Sequence, residues 1–79
     1  MSNFVLMAIF DHAVKEFAPC MCVQTEQVGM RAFIREINRV HPDNLLYTNK
    51  EDFTLYLVGE YSTDDGTVIT RDPRIVLHG

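Results

Sequence analysis

The sequence predicts an α+β domain of ββαββ order: a four-stranded, mainly antiparallel sheet, order 2-1-3-4, with one helix packed on one face. Three observations carry this expectation. An apolar run opens the chain from Phe4 to Phe10. A single helical stripe follows in Met30, Phe33, Ile34 and Ile37. A strand-period stretch comes last, with Phe53, Leu55, Leu57 and Tyr61 alternating with Thr54, Tyr56, Val58 and Glu60 before the turn residues Asp64-Asp65-Gly66.

The first strand is expected over 3–11. Phe4, Leu6, Ala8 and Phe10 share one side and Val5, Met7 and Ile9 the other, so both faces are apolar, as in a central strand. Asp11 to Lys15 breaks the pattern as a turn, and 16–24 resumes as a second strand. Pro19 has no N–H for a ladder bond, which assigns that strand to an edge or to a bulge. Thr25 then reads as an N-cap with Glu26 in the first turn, where negative charge suits the helix dipole. Gly29 weakens the helix by roughly 1 kcal/mol relative to Ala, a cost that a close approach to the sheet would explain. Pro42 ends the helix near Val40, and the polar stretch 41–50 reads as a loop. After the third strand, the turn leads into a β-branched run at 67–70, and Ile75 to Leu77 supply at most a short further edge.

On this reading, the helix covers Phe4, Leu6, Phe10, Leu55 and Leu57, leaving Val5, Met7, Ile9, Tyr56 and Val58 on an open face. An open apolar face on so small a domain meets a partner. Val5, Met7, Ile9 and Val58 are therefore the expected interface of a homo-oligomer, most simply a dimer.

The chain of 79 residues is read as one domain, 1–79. A domain of this size buries only about 60–65% of its unfolded surface, so its core is thin and self-association would help it. The net charge of −4 argues against coating nucleic acid or membrane by bulk electrostatics, and leaves a local basic patch as the route to DNA. No apolar run approaches the ~18 residues of a membrane span, and the N-terminal run lacks the basic flank of a leader, which reads as a soluble intracellular protein. Cys20 and Cys22 stand in a Cys-x-Cys spacing while His12, His41 and His78 are scattered, so no metal, cofactor or disulfide is expected and the cysteines read as small half-buried hydrophobes. No activated nucleophile, phosphate-cradling glycine loop or calcium-loop spacing appears, and the expectation is a protein that is not an enzyme.

Arg31, Arg35 and Arg39 form the clearest charged constellation. At a spacing of four they line one side of the helix, about 6 Å apart along its axis. Guanidinium forks donate paired hydrogen bonds to phosphate, although a solvated helix face would also carry such residues. Lys50, Lys15, Arg71 or Arg74 would extend the patch, and Tyr56 on the open face would stack on bases.

Phe10-Asp11, Phe17 and Pro19, the helical Arg31-Ala32-Phe33 and Asn38, then Glu51-Asp52-Phe53, Leu55-Tyr56, Gly59-Glu60-Tyr61 and Asp64-Asp65-Gly66 occur in an order that resembles the small nonstructural protein of gokushoviruses, phages of the Microviridae. The chain departs from that pattern in a longer 41–49 loop and in its cysteines. The resemblance implies a protein absent from the mature virion, working in the host bacterial cytoplasm as a DNA-binding accessory of single-stranded viral genome synthesis. A protein-interaction module that docks on the replication initiator, a capsid precursor or a host factor is the other expectation for the same residues.

Overall fold

In the computed structural model, which describes residues 3–79, β1 (Asn3–Asp11) is the central organiser. It pairs on one side with β2 (Glu16–Phe17) and β3 (Met21–Val23), and on the other with β4 (Phe53–Ser62), which pairs in turn with β5 (Val68–His78). Every pairing is antiparallel. Helix α1 (Glu26–Ile37) lies on one face of this sheet, giving the expected α+β architecture.

The strand order differs from the expected one in a single respect: the second strand comes as two pieces, β2 and β3, both seated on β1. Pro19 lies between them, and the chain is held across the break by the Ala18 N–H donating to the Ile9 carbonyl at 2.8 Å. A proline in an edge strand removes one donor and interrupts the ladder there. At the other edge, β5 is one long strand rather than a short run and a trailing end. Its ladder with β4 shifts register between Thr70 and Arg74, passing over Arg71, Asp72 and Pro73.

Thr25 caps α1 as expected: its backbone is extended and its hydroxyl accepts from the Val28 N–H at 3.1 Å. Thr25→Ala is expected to cost about 1 kcal/mol, read as a lower urea midpoint with an unchanged slope. The helix stops at Ile37, short of the expected Val40, with Asn38 as its C-cap. The reason lies in Asn44, a buried side chain whose amide donates to the Glu36 carbonyl at 2.8 Å and to the Arg39 carbonyl at 3.0 Å. Helix-end carbonyls need such donors, and here they come from the stretch expected to be loop. That stretch folds into the short α2 (Leu45–Thr48) and a 3-10 turn, Lys50–Asp52, with Leu46 packing onto the core.

The core is Met7, Phe33, Ile37 and Leu55, with Val5, Ile9, Met30 and Phe53 packed around it. The expected facing of β1 is therefore reversed. Val5, Met7 and Ile9, expected on an open interface, lie under the helix, and Met7 is fully buried. The register explains this: Ile9 stands opposite Leu55 and Met7 opposite Leu57, and residues opposite each other in an antiparallel ladder share a face. Leu55 and Leu57 face the helix as expected, so the odd-numbered side of β1 must join them. Val58 is the extra residue of a bulge, since Leu6 pairs with Gly59 and Met7 with Leu57.

Ile34, expected within the buried helical stripe, is 43% exposed. The contact line instead runs through Gly29, Phe33 and Ile37, because Gly29 lets α1 settle until a Cβ there would collide with the Met7 thioether. Between β4 and β5, Gly66 takes φ 74° and Asp65 accepts from the Thr67 hydroxyl at 2.7 Å and the Thr67 N–H at 3.1 Å. The bond from the Thr67 hydroxyl, with help from its N–H, holds the Asp65 carboxyl below its ordinary range. Its support of the turn is present above that range and is lost as pH falls through the lowered value.

Candidate functional site

Of the five arginines, three are tied to glutamates. Arg39 donates to Glu36 at 2.7 Å, Arg74 to Glu26 at 2.6 Å, and Arg71 through Nε to Glu60 at 2.6 Å. Arg31 and Arg35 are exposed on successive turns of α1, and among the described residues neither has a carboxylate partner. The expected ladder of three thus becomes a free pair. Arg39 lies beyond the end of α1, where Glu36 three residues back captures it; their hydrogen bond lowers the Glu36 pKa and raises that of Arg39. An exposed ion pair of this kind contributes little to stability, but it occupies the guanidinium.

The other expected contacts do not join this pair. Lys50 sits in the 3-10 turn with its ammonium 5.3 Å from the centre of the Tyr47 ring, a cation–π arrangement. Tyr56 lies on the sheet face away from α1, so a helix layer and a sheet layer separate it from Arg31 and Arg35. Arginine grip and aromatic stacking are two surfaces here, not one site.

The face away from the helix is aromatic. Phe10 and Phe17 stand opposite each other across β1 and β2, with ring centres 4.7 Å apart. Tyr56 meets both edge-on, at 6.1 Å from Phe10 and 5.3 Å from Phe17. The ladder continues this surface through Leu6 opposite Gly59, Phe4 opposite Tyr61 and Ile75 opposite Tyr56. Phe17 and Ile75 remain 44% and 50% exposed. Both helices pack on the other side, so no described element crosses this face.

At one end of the same face, His12 and His78 converge on Thr54. His12 Nε2 is 2.8 Å and His78 Nδ1 3.0 Å from the Thr54 hydroxyl, which is almost wholly buried. A hydroxyl with one hydrogen and two lone pairs can satisfy both rings, and the trio ties the turn after β1 and the end of β5 to the start of β4. Sequence reasoning missed this cluster because 12, 54 and 78 share no local spacing; only the pairings of Thr54 with Phe10 and with His78 bring them together.

On the helix side, an apolar cleft of about 360 Å³ opens between Ile9, Met21, Ala32, Phe33 and Leu46, with Glu36 its one charged wall. A single carboxylate already paired with an arginine gives it no acid–base partner. Cys20 and Cys22, expected to be half-buried, are both exposed and free. Among the described residues, no group of three or more His, Cys, Asp or Glu side chains is placed to hold a metal ion, and no helix is long and apolar enough to cross a membrane.

Residues 4–79 match the model of a family described as Phage ORF5 protein. No curated protein and no solved structure matches the chain.

Proposed function

Because the chain belongs to the Phage ORF5 protein family, we propose that this phage protein is nonstructural and binds single-stranded DNA as an accessory of viral genome synthesis, with Arg31 and Arg35 holding the phosphate backbone. The observation that carries this reading is the contrast among the arginines: those at 39, 71 and 74 are neutralised by neighbouring glutamates, while the two on α1 are exposed and, among the described residues, without a carboxylate partner. Aligned on one helix, they present two forks to consecutive phosphates without disturbing the core beneath. The resemblance to gokushovirus nonstructural proteins supports the same role, carried out in the host bacterial cytoplasm and away from the mature virion. An overall charge of −4 confines the attraction to this local patch.

The test is a titration with labelled single- and double-stranded DNA at several salt concentrations. Each phosphate contact to a single strand contributes about 0.7 to the slope of log affinity against log salt, so Arg31→Gln with Arg35→Gln should lower that slope by about 1.4 per protomer and weaken binding alike across sequences. Equal binding by parent and double variant would remove the arginine pair from the site. A parent that binds no DNA, yet binds a replication initiator, capsid precursor or host protein with affinity indifferent to salt, would replace this reading with a protein-docking one.

A further inference from the structure

We infer that the aromatic sheet face is the seat of a second copy of this chain, which closes on it around a two-fold axis. Three observations select that occupant. First, the ladder positions of the face carry no lysine, arginine or carboxylate, so the surface has no fixed charge to draw a phosphate backbone or a charged peptide, whereas an apolar face is complementary to itself. Second, the size fits. The eleven residues of β5 at about 3.3 Å each, with four strands side by side at about 4.8 Å each, span a plane of roughly 36 × 19 Å, or about 700 Å². That plane is comparable with the roughly 800 Å² per partner of a standard interface. Third, among the described residues the buried hydrophobic side chains are six: Met7, Ala8, Phe33, Ile37, Leu55 and Leu57. A domain this small gains from covering Phe10, Phe17 and Tyr56 by association what it cannot cover by folding.

The interface lies on the opposite side from Arg31 and Arg35, so it is independent of the nucleic-acid reading and its test uses no DNA. Sedimentation and light scattering of the parent at roughly 100 µM, where even a weak interface is populated, should give twice the mass of the 9.1 kDa chain. Phe17→Asp and Ile75→Asp replace side chains already half exposed, so the fold survives them; circular dichroism and an unchanged melting transition of the diluted monomer check this. Each should return the mass to that of a single chain, while Ile34→Asp on the helix side leaves the dimer intact. A monomeric parent at this concentration overturns the inference. So does a dimer that persists in both face variants, or one that only Ile34→Asp dissociates.

Discussion

Phe33→Ala should remove about 3–5 kcal/mol of stability, a large share of the total for a domain of this size. Phe33 is 2% exposed and fills the space between α1 and the two central strands, touching the cluster of Met7, Ile37 and Leu55. No neighbouring chain segment is free to collapse into the space, because the strands on the far side are fixed by their ladder and α1 is capped at both ends. Urea unfolding followed by circular dichroism measures the loss. Ile34→Ala, one position along and equally apolar in sequence, should cost less than about 1 kcal/mol, because Ile34 lies at the rim rather than in the core. Similar losses for both would mean that the helix is rotated from the position described.

Gly59→Ala is the second change with a large effect, roughly 2–3 kcal/mol. A Cβ at this position would sit 2.5 Å from the Ile69 carbonyl oxygen, and that oxygen belongs to the backbone of the paired strand. Accommodating the methyl group requires β4 and β5 to part. Gly29→Ala provides the comparison. There the obstacle is the Met7 thioether, a side chain that can change rotamer but is itself buried, so the gain of about 1 kcal/mol in helix propensity from the replacement offsets part of a smaller cost. Thermal melts should rank Gly59→Ala well below Gly29→Ala; the reverse order would contradict the close approach of β5 to β4.

Several parts of this architecture are legible in the residues alone. Alternation finds β1 and β4, and Thr25 followed by Glu26 locates the start of α1 to the residue. Pro19 marks the break in the second strand. The blocks shared with a phage family point to the same broad group as the family match. The facing of β1 is not legible, because a strand apolar on both sides gives no local signal for which side takes the helix; that choice is made by its register with β4, which the bulge at Val58 shifts. The end of α1 depends on Asn44, a residue eight positions past the carbonyl at Glu36 that it binds. The arginine pair is half legible: spacing aligns Arg31 and Arg35 on α1, but only the fold shows that Arg39 leaves the helix and turns to Glu36. The histidine pair on Thr54 depends wholly on strand pairing.

Both open margins of the sheet are broken by a proline, Pro19 between β2 and β3 and Pro73 within the unpaired stretch of β5. An incoming strand needs several consecutive free N–H and C=O groups in register, and a proline interrupts that row at each margin; Arg71, Asp72 and Arg74 add charge beside the second break. Growth by strand addition, the route to fibrils, is therefore disfavoured at both margins. A two-fold dimer of the kind inferred on the aromatic face would be closed, so concentrated protein should then stop at two chains instead of polymerising.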